Sequence, residues 1–296
     1  VESSSQDETA PLDAADELQP TGAGSKRRCK RPRRWGAAHA VMIVMLAFAF
    51  IVPLFAPPDA MAVAPQHRFE PPSIEWPLGT DHLGRDLLYV TAIGLRTSIL
   101  VSVLVVLTGG LFGWLAGAFS AYVGGWVDNV LSRIMDVFFA FPATILAIAL
   151  LTALGTNFGN FVFVLALASW VNYARVIRAR VLTLRDEEFM QAARLYGASV
   201  PATIRRHVWP NTSDLWIAVA MVQLPNVMLG EATLSFLGFG LQPPDISLGV
   251  VIASEKDYLL TNSWPVLLAG LVLVVTCASL ASVGSRLGTA ARAALE

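Results

Sequence analysis

Long apolar blocks alternate with short polar breaks along most of this 296-residue chain, and the lengths of those blocks set its architecture. Residues 37–56, AAHAVMIVMLAFAFIVPLFA, supply the roughly 20 apolar residues that one helical crossing of a bilayer requires. A cleaved leader is the rival reading there, since Asp59-Ala60-Met61-Ala62 contains a small-residue cleavage pattern. The apolar run is longer than the ~7–15 residues of a leader's core, however, and further spans follow. Between Thr97 and Asn129 the only charge is Asp128, which predicts a second span over 97–122. A third is predicted over 131–153, with Pro142 as a kink that neighbouring groups can tolerate inside a membrane. The uncharged run from Val137 to Ala174 holds 38 residues, far too many for one crossing. GTNFGN at 155–160 therefore breaks it, and a fourth span follows over 161–177. Fifth and sixth spans are expected over 214–238 and 264–285, giving an all-α membrane protein of six transmembrane helices.

The breaks carry their own information. Residues 57–96 read as an ordered extramembrane loop, rich in proline and mixed charge, that ends in a short amphipathic piece near Asp86 to Tyr89. His82 beside Asp81 and Asp86 raises the possibility of a metal site. Their spacing fits no usual ligand set, and turn or cap hydrogen bonding accounts for them as well. Gly109, Gly113 and Gly117, at intervals of four, share one helix face and allow a neighbouring backbone to come close. Glu231 is the one acid within the fifth span, so it should face protein or water rather than lipid. It reads either as an interhelical hydrogen-bonding group or as part of a pathway or gate, with Gln223 and Asn226 as companions in a polar lining.

Charge fixes the expected orientation. The net charge of −1 hides a strong segregation: six acids and no Lys or Arg before residue 25, then seven positive charges from Lys26 to Arg34. Residues 1–36 are therefore expected to be a disordered cytoplasmic tail, acidic and then basic. Placing that basic run inside puts 17 of the 21 Lys and Arg on the inner side. Both termini, the 286–296 tail and the polar island at 178–211 then lie in the cytoplasm, while 57–96 is extracytoplasmic and 97–285 forms a five-helix core. With 55% hydrophobic and 15% charged residues and a mean hydropathy of +0.58, a soluble domain is excluded. Cys29 and Cys277 lie in unlike surroundings, so free thiols rather than a disulfide are expected.

The island itself, DEEFMQAARLYGASVPATIRRHVWPN at 186–211, has the signs of two short helices around a bend. Asp186, Glu187 and Glu188 suit a helix N-terminus, and Gly197 suits a left-handed residue at its end. Phe189, Ala192, Ala193 and Tyr196 fall on one face, and Glu187, Gln191 and Arg194 on the other. Ser199 is placed to cap a second helix with Pro201 in its first turn. So short a first helix is marginal alone in water and needs a partner surface. An amphipathic hairpin lying on the membrane surface has a similar composition.

The spacing of Gln191-Ala192-Ala193, Gly197, His207 and Trp209-Pro210 resembles the EAA-x3-G-x9-I-x-L-P loop of ABC importer permeases. Gln stands where Glu is usual, and His and Trp stand where Ile and Leu are usual. Trp76 to Asp86, Gly124 to Asp128, Phe141-Pro142, Tyr173-Ala174-Arg175, Leu229 to Ala232, Ser235 to Gly238 and Gln242 to Pro244 narrow the resemblance further. Together they are similar to the dipeptide/oligopeptide/nickel permeases of the second-subunit type. The resemblance covers about 75–285 and weakens at Gly284 to Gly288, where an acidic ending is lacking.

That resemblance implies a type I ABC importer permease of MetI-like architecture in a bacterial cytoplasmic membrane. It implies pairing with a homologous permease, two ATPase subunits or a fused ATPase, and an extracytoplasmic substrate-binding protein; no nucleic-acid partner is expected. Di- or oligopeptides are the leading cargo, with nickel or another small ligand as the alternative. The ATPase-coupling residues would be Glu187, Glu188, Phe189, Gln191, Ala192, Ala193, Arg194, Tyr196 and Gly197. ATP and Mg would be used by the partner ATPases, and no cofactor is expected on this chain. Direct reading agrees, because Lys26, Lys30 and Lys256 are the only lysines and none follows a glycine as a phosphate-cradling Gly-Lys-Ser/Thr loop requires. A secondary transporter would show a repeat and more ionisable residues within its spans. A membrane-embedded enzyme would need a catalytic constellation, whereas His39, His67, His82 and His207 are dispersed.

Overall fold

A computed structural model describes residues 35–57, 60–242 and 244–293. The acidic tail and the basic run with Cys29 lie outside the described residues, as do Pro58, Asp59 and Pro243. Among the described residues there are helices and a single isolated bridge between Thr80 and Asp86, and no strand. The helices are α1 (Trp35–Ile51), α2 (Leu87–Val123), α3 (Gly125–Ala140), α4 (Ala143–Leu154), α5 (Phe158–Arg185), α6 (Glu188–Leu195), α7 (Val200–Thr203), α8 (Trp209–Phe236), α9 (Leu248–Glu255) and α10 (Trp264–Ala293). A π-helical turn, Ile204–Val208, joins α7 to α8, so that Val200–Phe236 runs as one element.

Among the described residues five helical stretches are long and apolar enough to cross a membrane: Gly36–Phe55, Leu87–Val123, Phe158–Arg185, Val200–Phe236 and Trp264–Ser285. The third expected span departs from expectation in shape. Instead of one kinked helix over 131–153, α3 and α4 meet at 90°. Pro142 cannot extend the helix before it and pushes Phe141 into extended conformation (φ −101°, ψ 135°), so α3 ends at Ala140. Side chains then hold α3 in place. The Arg178 Nε and Nη2 groups donate to the two carboxylate oxygens of Asp128 at 2.6 Å each, and Arg175 Nη2 donates to Asp136 at 2.8 Å.

The second span also begins earlier than 97. Asp86 accepts from the Leu88 N–H at 2.9 Å and starts α2 at Leu87, ten residues ahead of the expected boundary. At the centre of the fold α2 lies against α5, and the glycine stripe sets their approach. A Cβ on Gly109 would stand 2.8 Å from the Ala166 carbonyl oxygen, on Gly113 2.2 Å from that of Trp170, and on Gly117 2.3 Å from that of Ala174. Both helices thus contribute positions four apart, and only glycine lets the backbones meet. Around this seam α2, α4, α5 and α8 share one apolar core, with Val101, Val105, Phe161, Val164 and Leu234 buried in it. A second core, including Ala49, Val90, Met228, Leu248 and Cys277, joins α1, α2, α8, α9 and α10. Cys277 is a free thiol there.

The loop before α2 is closed by hydrogen bonds on Asp81. Asp81 accepts from the N–H groups of Leu83 and Arg85 at 2.8 Å each and from Arg85 Nε at 2.6 Å. Burial raises the Asp86 carboxyl above its ordinary range, although its cap bond from Leu88 opposes the shift.

Candidate functional site

The polar island folds back against the ends of α2 and α5. Its first helix, α6, has only eight residues and owes its position to one side chain the face pattern did not single out: Met190 is fully buried among Trp114, Ala118, Tyr122, Ile177, Val181 and Val208. Arg194, one turn on, donates from Nη2 to the Tyr122 carbonyl at 3.0 Å while its guanidinium lies 4.7 Å from that residue's ring. The division into a Phe189/Ala192/Ala193/Tyr196 face and a Glu187/Gln191/Arg194 face is therefore corrected. Met190 and Arg194 face the body of the chain, Ala192 and Ala193 are half-buried, and Phe189 is exposed beside His207 at a ring distance of 6.1 Å. Leu195 is 87% and Tyr196 91% exposed, an apolar tip turned away from every other part of the described chain.

The ends of α6 are built as the sequence suggests. Glu187 is its N-cap residue and Glu188 occupies the first turn, both exposed. At the far end Gly197 has φ +72°; its N–H bonds to the Arg194 carbonyl and that of Ala198 to the Ala193 carbonyl, both at 3.0 Å. This pair of bonds is a Schellman ending, which needs a left-handed residue where Gly197 stands. Gln191 donates from Nε2 to the Asp186 carbonyl at 3.0 Å, tying α6 to the end of α5. A glutamate carboxylate at that position has no proton to donate, so the amide at 191 has a local use of its own. Ser199 stands at the start of α7, but its hydroxyl makes no cap bond and only its carbonyl is used, by Thr203.

From the island the chain passes directly into the membrane. Trp209 stacks edge-on against Trp114 (4.7 Å, 86°), and Trp114 Nε1 donates to Thr212 at 2.9 Å. In this way α6 is tied to α2 through Met190 and to α8 through the π-helical turn.

Within α8, Glu231 is fully buried and accepts three hydroxyl hydrogen bonds: from Ser98 on α2 (2.9 Å), from Ser235 (2.8 Å) and from Ser247 at the start of α9 (2.6 Å). Ser98 and Ser247 in turn accept from the N–H groups of Leu248 and Val250. One carboxylate thereby joins three helices and meets the positive end of α9. Gln223 and Asn226 are elsewhere, paired at 3.0 Å on the outer side of α8. Asn226 belongs to an exposed stripe with Val222, Leu229, Thr233 and Phe236, from which Glu231 is turned away.

At the other end of α9, Glu255 Oε1 accepts from His82 Nδ1 at 2.6 Å and joins the loop before α2 to α9; the His82 ring stacks on Tyr258. Ligand atoms of Asp81, His82 and Glu255 lie within 4.8 Å of one another. Both Asp81 oxygens are already taken up by Leu83 and Arg85, so the cluster serves as a hydrogen-bonded tie. Glu255, 173 residues from His82, had no signal in the sequence.

Comparison with known proteins agrees with this architecture. Residues 109–290 match the family of binding-protein-dependent transport system inner membrane components. The oligopeptide transport system permease protein OppC of Mycobacterium tuberculosis is 35% identical over 265 residues, covering 88% of this chain and 91% of that protein. A Brucella suis protein named "Putative peptide transport system permease protein" is 32% identical over 261 residues, 88% of each chain. The dipeptide transport system permease protein DppC of Bacillus subtilis is 31% identical over 238 residues, 80% of this chain and 74% of that one.

Proposed function

Because the chain belongs to the family of binding-protein-dependent transport system inner membrane components, we propose that it is a permease subunit of an ATP-driven importer of di- or oligopeptides. It pairs with a homologous permease to form the path, two ATPase subunits or a fused ATPase supply the energy with ATP and Mg, and an extracytoplasmic binding protein delivers the cargo. The distribution of Lys and Arg supports placing both termini and α6 on the cytoplasmic side of a bacterial inner membrane.

The observation that carries this reading is the construction of α6. A helix too short to persist alone is anchored on one side by Met190 and Arg194, and presents Leu195 and Tyr196, almost wholly exposed, on the other. Exposed aromatic and aliphatic side chains on a rigid base are the kind of anchor that dominates protein interfaces. We assign this tip, with Glu187, Glu188 and Phe189 beside it, to the ATPase, and Gly197 to the bend that lets it project. Closure of the ATPases would push α6, and Trp114, Trp209 and the π-helical turn would pass the displacement to α2 and α8. The exposed stripe of α8 with Gln223 and Asn226 then faces the path or the second permease, while Glu231 holds the far ends of α2, α8 and α9 together.

The test is the double variant Leu195→Asp, Tyr196→Asp in the intact complex. Neither side chain supports this chain's own fold, so expression and melting should hold. ATPase association and ATP-driven peptide uptake should each fall by at least about ten-fold, as loss of a hot spot entails. Uptake and assembly at the original level would remove α6 from the coupling role.

A further inference from the structure

Between α2 and the α7–α8 junction lies a groove of about 780 Å³, open along one side. Its walls are Phe112, Leu115 and Phe119 on α2 and Ile204 and Trp209 opposite, and the one charged side chain lining it is Arg205. Arg205 has no hydrogen-bond or salt-bridge partner among the described residues. Phe112 and Phe119 sit eleven and four residues before the end of α2 at Val123. At ~1.5 Å per residue the two lie roughly 10 Å apart along α2, about two-thirds of the ~15 Å that one leaflet's hydrocarbon occupies. The groove is thus an apolar channel long enough for much of an acyl chain, with a single cationic side chain in its lining.

We propose that this groove holds an anionic phospholipid of the cytoplasmic leaflet, with its phosphate on Arg205 and an acyl chain along Phe112, Leu115, Phe119 and Trp209. The unpaired cation in an otherwise apolar lining favours a lipid over a helix of the second permease. An apolar helix seated there would bury the Arg205 guanidinium without a counter-charge, whereas a phosphodiester supplies one together with acceptors of the right geometry. Basic pockets between helices on the cytoplasmic side are established sites for anionic headgroups. Arg205 belongs to the π-helical turn Ile204–Val208, so the bound lipid touches the joint through which α6 and α8 are connected. A π-turn in a long helix is itself a common mark of a functional site.

The inference rests on the proposed orientation for the choice of leaflet, and its test is kept apart from transport. The complex, in nanodiscs of phosphatidylcholine with or without phosphatidylglycerol, is released and its retained lipids are counted by native mass spectrometry. Wild type should retain phosphatidylglycerol in preference to phosphatidylcholine. Arg205→Gln should lower that preference roughly five-fold, the effect of about one basic residue at an anionic surface, while Arg205→Lys should keep most of it and Arg206→Gln all of it. Leu115→Trp, which fills the groove, should lower retention of both lipids without loss of subunits. Equal retention of the two lipids, or Arg205→Gln indistinguishable from Arg206→Gln, would overturn the proposal. So would a cysteine at position 115 that cross-links to the second permease rather than to a photoreactive lipid. Lost lipid preference with normal uptake counts against the lipid site alone, and retained lipid without ATP-driven uptake counts against the transport reading alone.

Discussion

Replacing Gly113 by alanine sets the two central helices in direct conflict. The new Cβ would stand 2.2 Å from the Trp170 carbonyl oxygen and 2.9 Å from Cβ of Tyr173. Ordinary contact begins at 3.4 Å, so α2 and α5 would have to part by about an ångström along a seam already tight at Gly109 and Gly117. The obstacle is backbone, which cannot swing aside as a long side chain can. Overpacking a filled interior costs ~1–3 kcal/mol, and a carbonyl as the clashing atom belongs in the upper part of that range. Against it stands a gain of roughly 1 kcal/mol in helix propensity from glycine to alanine. The net expectation is a loss of about 1–2 kcal/mol. Gly270→Ala in α10 is the internal control, because a Cβ there meets nothing within 4 Å and gains the propensity without the clash. Thermal unfolding of the purified chain in one detergent reads the difference. At ~2–4 °C per kcal/mol for chains of this order of size, Gly113→Ala should melt several degrees below wild type and Gly270→Ala at or above it. Equal midpoints for the two variants would refute the view that the glycine stripe exists for close approach of α2 and α5.

Other expectations follow from single contacts. Glu231→Ala strands the hydroxyls of Ser98, Ser235 and Ser247 and should cost roughly 3 kcal/mol or more, with Glu231→Gln nearer 1–2; melting of the two variants checks the order, and equal midpoints would deny the hydroxyl network its role. Met190→Ala should cost ~2–5 kcal/mol of local packing, and since α6 is too short to stand alone, hydrogen exchange should rise across 187–198 while α2 and α5 stay protected; unchanged exchange there would show that Met190 is not the anchor. At Asp86, burial outweighs the cap bond and raises the folded-state pKa, so the wild type's ionised carboxyl weakens the fold once the pH exceeds that value. Asp86→Asn keeps the cap without the charge; it should match or exceed wild type in melting at pH 7, with any advantage shrinking as the pH falls below the folded pKa and gone below the ordinary carboxylate range. An advantage that grows on acidification would contradict the assignment.

Much of the architecture could be read from local signals, and what could not depended on partners distant in the chain. Glycines at intervals of four announced a close helix contact, and the structure supplies the other half, Ala166, Trp170 and Ala174. Gly197 announced a left-handed ending because few residues other than glycine adopt that conformation without strain. Pro142 marked a break but not its size, since the 90° bend also depends on Arg175 and Arg178 gripping α3 from a helix some 40–50 residues later. The face assignment in α6 failed for a similar reason. An eight-residue helix with Phe189, Met190 and Leu195, followed by Tyr196 at its cap, offers apolar groups on more than one side, and only the hollow between α2 and α5 selects Met190. Glu231 was conspicuous as an acid in an apolar run, but its use depends on hydroxyls 133 residues before it and 16 after it.

The direct test of the central claim is a cysteine at position 196, with Cys29 and Cys277 replaced by serine, in the assembled complex. A short bifunctional thiol reagent should join this chain to an ATPase subunit, with a yield that differs between the ATP-bound and nucleotide-free states. A cysteine at Leu260, exposed on the loop between α9 and α10, should give no such adduct. No ATPase adduct from position 196, or one from position 260 instead, would contradict the assignment of α6 as the point at which the energy of ATP enters this chain.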